Sequence, residues 1–245
     1  MGIAADIAED WHAALAALAW EVEAGADETM LDAPVNRYAP RAEAPKPLAT
    51  SAAPDPGRTD PVATARAMAA QAPTLDALRE AITGFDLCDL KKGARNTVFA
   101  DGNPKARVLI LGEAPGAEED REGRPFVGRA GQLLDRMFAA IGLSRTSPDA
   151  EHAVYITNVM PWRPPANRDP DPAEIAMMLP FVERHIALVD PQVIVVVGNT
   201  SLFALSGAKG ILRARGNWSQ AFGKPLLPMT HPAYLLRAPA AKREA

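Results

Sequence analysis

The chain has 245 residues, 48% of them hydrophobic and 23% charged, an ordinary globular composition with room for one well-packed domain and additional segments. No apolar run approaches the roughly 20 residues that a membrane-spanning helix needs, and the only cysteine is Cys88, which excludes an intramolecular disulfide and any all-cysteine metal or iron–sulfur site. The net charge of −4 conceals a segregation: residues 1–84 carry 6 basic and 13 acidic side chains, a net of −7, whereas residues 85–245 carry 20 and 17, a net of +3, which is compatible with a nucleic-acid partner without arguing for one.

Asp6, Glu9 and Asp10 stand where an export signal carries positive charge, so the chain is expected to stay in the cytoplasm. Residues 4–24 read as a helix, with Ile7, Trp11, Leu15, Leu18 and Val22 recurring at three- and four-residue spacing to give one apolar stripe. This N-terminal segment, residues 1–31, is read either as a docking element for a protein partner or as dispensable. Over residues 32–73, the scattered Pro34, Pro40, Pro45, Pro47, Pro54, Pro56 and Pro61 predict a flexible linker, because proline removes backbone donors and disfavours regular structure. The globular domain is then expected over residues 74–245.

Thr74 is suited to cap a short helix ending near Gly84. Beyond it the pattern alternates strand and helix. Residues 107–112, 153–158, 192–198 and 226–230 are short apolar runs suited to strands. Residues 130–141 and 172–189 are helical, the second with Asp171 as N-cap and Pro172 in its first turn. Strands separated by helices predict a three-layer αβα sandwich around a four-stranded parallel sheet, with residues 210–222 forming a small hairpin. Sites in such sheets form beyond the carboxyl ends of the strands, and the polar clusters of this chain fall there.

After the first strand comes Gly112-Glu-Ala-Pro-Gly-Ala-Glu-Glu-Asp120, too rich in carboxylates for a phosphate cradle. Its carboxylates suit orienting a water or stabilising a developing cation; a solvated acidic turn is the plain alternative. Gly123-Arg-Pro-Phe-Val-Gly128 places Phe126 on a rigid loop, either as a stacking platform for a base or as a ring tucked into the core. Asn158 ends the second strand and offers a donor and an acceptor for a base edge, although a strand-end asparagine is also ordinary turn chemistry. The proline-stiffened Met160-Pro-Trp-Arg-Pro-Pro-Ala-Asn-Arg168 carries Arg163 and Arg168 for a phosphate backbone. Last, Thr230-His-Pro-Ala-Tyr-Leu-Leu-Arg237 combines a hydrogen-bonding His231 with an apolar wedge and a cation.

The runs GEAPGAEEDREGRPFVGRAGQLLD, ITNVMPWRPPANR and HPAYLLR, in that order over about residues 85–245, resemble the family 4 uracil-DNA glycosylases. The resemblance implies a monofunctional DNA glycosylase that flips uracil into a pocket at the strand ends and hydrolyses its glycosidic bond. It implies Glu113 and Glu119 as catalytic carboxylates, Phe126 stacking on the base, and Asn158 reading its edge. His231 would support the leaving anion, with Gly112 and Ala114 beside the base. Tyr234, Leu235, Leu236 and Arg237 would form the wedge and backbone contact, joined by Arg163 and Arg168. The expected partner is uracil-containing DNA, bound by a monomer. Two alternatives are a glycosylase for another deaminated base and a catalytically silent DNA-binding or replication-associated module on the same fold.

The family usually holds a [4Fe–4S] cluster on four cysteines; aligned here, those positions are Phe85, Cys88, Trp162 and Met178. Neither metal nor cluster is therefore expected, and the three apolar replacements are expected to fill the vacated volume with Cys88 inert beside them. A superfamily branch that becomes trapped on DNA does so through a histidine-bearing insertion after the second strand; that loop is short here and lacks histidine, so turnover is expected. The chain stops at Lys242-Arg-Glu-Ala245, which reads as the start of a helix.

Overall fold

The computed structural model describes Leu15 and residues 59–244; apart from Leu15, the helix expected over residues 4–24 and the linker up to residue 58 lie outside the described residues. The linker expectation fails at its far end, where Pro61–Gln71 is a helix, α1. Asp60 accepts the Val62 N–H at 2.9 Å, and Pro61 occupies the first helical position, where a missing N–H costs nothing. Thus Pro61 starts a helix. Ala65, Ala69 and Ala72 are buried, and Arg184 Nε donates to the Ala72 carbonyl at 2.8 Å.

In chain order there follow α2 (Leu75–Gly84) and α3 (Leu90–Gly93), then β1 (Ala100–Gly102), β2 (Val108–Gly112), α4 (Ala117–Glu122), α5 (Arg129–Ala139), β3 (Val154–Asn158) and α6 (Pro172–Val189). The chain continues through β4 (Val193–Val197), α7 (Asn199–Ser206), α8 (Ile211–Ala214), β5 (Ser219–Ala221), β6 (Lys224–Met229) and α9 (Pro232–Arg237). Thr74 caps α2 by accepting the Ala77 N–H at 3.2 Å. At the start of α6, the Asp171 N–H donates to Glu174 at 2.8 Å, tying down an end that would otherwise leave donors unpaired.

The sheet order is β1-β3-β2-β4-β6-β5. The four strands read from the sequence lie side by side and parallel, and the expected four-stranded sheet is extended to six by antiparallel edge strands β1 and β5. Neither edge strand has an apolar run to betray it: they read Ala-Asp-Gly and Ser-Gln-Ala. The hairpin expected within residues 210–222 is instead made by β5 with β6. Its turn uses left-handed backbone at both Phe222 (φ 50°) and Gly223 (φ 73°), the geometry that matches strand twist.

Because side chains alternate along a strand, the sheet has two buried faces. Leu109, Leu111, Tyr155, Ile194 and Val196 pack with Ala65, Leu78, Ile82, Phe181 and Ile186 from α1, α2 and α6. Ile110, Ile156, Val195 and Val197 pack with Leu134 and Phe138 from α5. Three layers result. Among the described residues, no helix is long and apolar enough to cross a membrane. The carboxyl ends of β2, β3, β4 and β6 share one edge, where the loops carrying the polar clusters gather.

Candidate active site

A cleft of ≈ 600 Å³ opens at that edge, lined among others by Glu113, Ala114, Phe126, Asn158, Thr200 and His231. Sheet register sets its floor, since Gly112 at the end of β2 pairs with Asn158 at the end of β3. Asn158 is buried, and its Oδ1 is a buried acceptor without a partner. An orphaned buried acceptor costs about 1–3 kcal/mol, which a ligand bearing an N–H would recover. Gly112 does not itself line the cleft; a Cβ there would collide with Asn158 Oδ1 and stand 2.5 Å from Phe126 Cε2. Only glycine lets the ring and the amide approach each other.

Phe126 is buried with φ of 53°, left-handed backbone that a bulky residue rarely adopts. Two side chains clamp it. Glu119 accepts the N–H groups of Val127 (3.0 Å) and Gly128 (2.9 Å) on one oxygen and that of Gly116 (3.1 Å) on the other. From the opposite side Arg145 donates to the carbonyls of Pro125 (2.8 Å) and Phe126 (2.9 Å), with its own charge met by Asp135 and Asp101. Gly131, in the first turn of α5, leaves room for the Phe126 carbonyl that a Cβ would strike. Both oxygens of Glu119 are thus committed to backbone, whereas Arg145 escaped the sequence reading altogether.

Glu113 follows β2 directly, and its Oε2 accepts the Thr200 hydroxyl at 2.6 Å. Burial pushes the Glu113 carboxyl above its ordinary value, the Thr200 bond opposes this, and Asp169 adds to the rise. Thr200 is another residue the sequence reading missed. His231 precedes α9, and its Nδ1 accepts the Ala233 N–H at 3.1 Å. The proton of the neutral ring therefore sits on Nε2, left as a donor. Loss of solvent around the ring, helped by the Arg237 charge, lowers its pKa to about 4, so the imidazole is neutral at neutral pH. The His231 and Phe126 rings lie 5.7 Å apart at 29°.

The remaining predicted residues divide. Tyr234 and Arg237 line the cleft, and Leu236 is partly exposed. Leu235, expected in the wedge with Leu236, is buried instead; neighbours on a helix point about 100° apart, so the two leucines cannot share a face. Arg168 lines the cleft, but its guanidinium holds both Glu174 oxygens, at 2.9 and 2.6 Å. Arg163 is outside the lining and donates to Asn167 Oδ1 at 2.8 Å.

Residues 99–245 match the family described as the Uracil DNA glycosylase superfamily. The chain is 40% identical over 168 residues to the Type-4 uracil-DNA glycosylase of Thermotoga maritima, covering 66% of this chain and 83% of that protein. It is 38% identical over 182 residues to the protein of the same name from Archaeoglobus fulgidus, covering 70% and 87%. With the one from Pyrobaculum aerophilum it shares 36% identity over 185 residues, covering 69% and 88%. This chain belongs to the uracil DNA glycosylase superfamily.

The [4Fe–4S] cluster implied by the family 4 resemblance does not fit this superfamily member's residues. Phe85, Cys88, Trp162 and Met178 are all buried in one apolar cluster, and Cys88 supplies a single thiol whose pKa burial pushes up, away from the thiolate a metal requires. Trp162 donates its indole N–H to Thr97 at 3.1 Å, and Phe85 meets Phe181 edge-on at 5.4 Å. Among the described residues, no group of three or more His, Cys, Asp or Glu is placed to hold a metal.

Proposed function

We propose that this chain excises uracil from DNA by hydrolysing the bond between the base and C1′ of its sugar, leaving an abasic site. The observation that carries this reading is the buried, unpartnered Asn158 Oδ1, in a cleft shared by the Phe126 ring and the neutral imidazole of His231. A flipped uracil stacked on Phe126 donates its N3–H to Oδ1 and accepts at O4 from Nδ2. Cytosine presents an acceptor at N3 and a donor at the exocyclic position, so both contacts become repulsive.

As the C–N bond breaks, its electron pair goes to uracil N1 and spreads to O2, while C1′ gains cationic character. His231 Nε2–H donates to O2; one such donor is typically worth about 3 kcal/mol of barrier. Glu113 offsets the sugar cation and orients a water whose oxygen bonds C1′, its proton passing through the carboxylate to solvent. The uracil anion then takes a proton from solvent. No lysine lines the cleft among the described residues, so no amine is available for a Schiff base and strand cleavage awaits alkali. Leu236, with Tyr234, fills the gap in the stack, and Arg237 contacts phosphate, with Arg163 and Arg168 flanking the duplex.

The chain is taken to act as a monomer. It is also taken to act without an iron–sulfur cluster, a reading supported by the filled core around Trp162; bound iron with a visible absorbance band in the pure protein would overturn that second reading. Labelled DNA with one uracil, compared with thymine and hypoxanthine, tests the function. Scission is expected with uracil alone and only after alkali, and N158A or H231A should lower the rate by about 100-fold or more with folding intact. Full activity in both variants would remove the assignment.

A further inference from the structure

We propose that Thr200 is a positioning residue for hydrolysis, its hydroxyl pinning one oxygen of Glu113 so that the other is presented to the attacking water. The inference rests on the reading of Glu113 as the water-orienting carboxylate.

The backbone of Glu113 is fixed by the sheet edge: the Val159 N–H donates to the Gly112 carbonyl at 3.0 Å and the Met160 N–H to that of Glu113 at 2.9 Å. The side chain beyond it has three free torsions, and among the described residues its one polar partner is Thr200, 87 positions away in sequence. Oε2 is the bonded atom, leaving Oε1 of this cleft-lining residue without a hydrogen bond among the described residues. A separation of 2.6 Å falls in the range of a hydroxyl donating to an ionised carboxylate.

Thr200, in the first turn of α7, uses its hydroxyl differently from the other hydroxyl residues of that helix. Ser and Thr hydroxyls in helices commonly bond back to a nearby carbonyl. Ser201 does so to Gly198 at 3.3 Å, and Ser206 to Leu202 at 2.7 Å. Buried Thr200 spends its hydroxyl on no backbone group and reaches instead from α7 to the loop after β2. A valine has nearly the same volume and lacks only the donor.

The charged and titratable groups sharing the cleft with Glu113 are Asp169, Glu119, His231, Tyr234, Arg168 and Arg237. Glu119 is occupied by backbone N–H groups, Arg168 by Glu174, and His231 is neutral. Burial, and to a lesser degree Asp169, favour the protonated form of Glu113, and the Thr200 bond is what opposes them. Removing the hydroxyl thus loosens the carboxylate and favours its protonation, which disables it as a base.

Single-turnover uracil release over a pH series by wild type, T200V, T200S and E113Q tests the proposal. T200V is expected to lower the maximal rate roughly tenfold with the half-saturating DNA concentration unchanged, and to move the acid limb of the rate profile to higher pH. T200S, which keeps the donor, restores both. Should T200V fail to fold, T200A is read in the same way. A T200V rate and acid limb equal to wild type, with E113Q inactive, overturn the role of Thr200 alone. An E113Q enzyme as fast as wild type overturns the reading of Glu113 itself.

Discussion

Phe126, the proposed stacking platform, carries a local conformational cost. Its left-handed backbone is strained by roughly 1–3 kcal/mol for a residue of its type, and it persists because the peptide groups on both sides are held. Glu119 takes the N–H groups that follow it, and Arg145 takes its carbonyl and the one before. R145M removes both carbonyl donors and leaves Asp101 and Asp135 facing a thioether. Denaturation should show a loss of about 1.5–3 kcal/mol, as for lost hydrogen bonds to a charged group with partly solvated carboxylate partners, and uracil release should slow further than that loss explains. R145K should recover only part, because a point charge cannot bridge two carbonyls and two carboxylates. An unchanged denaturation midpoint in R145M would refute the clamp. Residues inside the motif runs, such as Asn158 and His231, were legible in the sequence because each sits beside a strand end that the apolar pattern marks. Arg145 and Thr200 were not. Their partners lie 19 and 87 positions away, and no local pattern distinguishes an arginine gripping a loop from one in water.

At the scale of elements, legibility followed apolar periodicity. Of the four parallel strands, β2 and β4 are nearly continuous, buried Val/Ile/Leu runs, and β3 and β6 carry shorter apolar cores, Val-Tyr-Ile and Leu-Leu, so all four could be read directly. The edge strands β1 and β5 are three residues each, stabilised by pairing to a neighbour that sequence pattern does not show. The helix α1 was lost to composition, because proline density outweighed the Asp60-Pro61 start signal. Since Ala65 is fully buried where α1 packs on α6, A65L should cost about 1–3 kcal/mol by overpacking; a linker would tolerate it without effect, and an unchanged unfolding free energy would restore the linker reading. The vacated cluster positions make a second element-scale case. W162A removes a fully buried indole and leaves Thr97 without its partner, so a loss of about 3–5 kcal/mol is expected. Chelator treatment of wild type should leave its denaturation curve unmoved. A curve displaced by chelator would mean that a metal, rather than Trp162, joins these elements.

For the whole molecule, the balance of buried titratable groups fixes how stability responds to acid. His185 lies beneath the sheet, bonded to the Tyr155 hydroxyl at 2.9 Å and stacked on Phe99 at 4.5 Å. Burial lowers its pKa from 6.5 to about 3, and that of His231 from 6.5 to about 4. Both rings are therefore neutral in the folded protein at pH values where the unfolded chain protonates them. Between 6.5 and those folded values the unfolded state binds more protons, so stability is complete above 6.5 and falls as pH falls, by up to about 1.4 kcal/mol per pH unit for each group. Glu174, whose pKa the Arg168 bond lowers, adds to the loss at more acid pH. Glu113 works the other way: its raised pKa means that the folded state gains relative stability as that carboxyl protonates. Two histidines against one carboxyl leave a net loss. The urea midpoint should therefore be lower at about pH 5 than at about pH 7, and H185Q should flatten that dependence even though it lowers stability throughout. Equal midpoints at the two pH values would show that the imidazoles keep an ordinary pKa in the folded state, and with that would go the burial that keeps His231 neutral down to mildly acid pH in the proposed stabilisation of the leaving uracil.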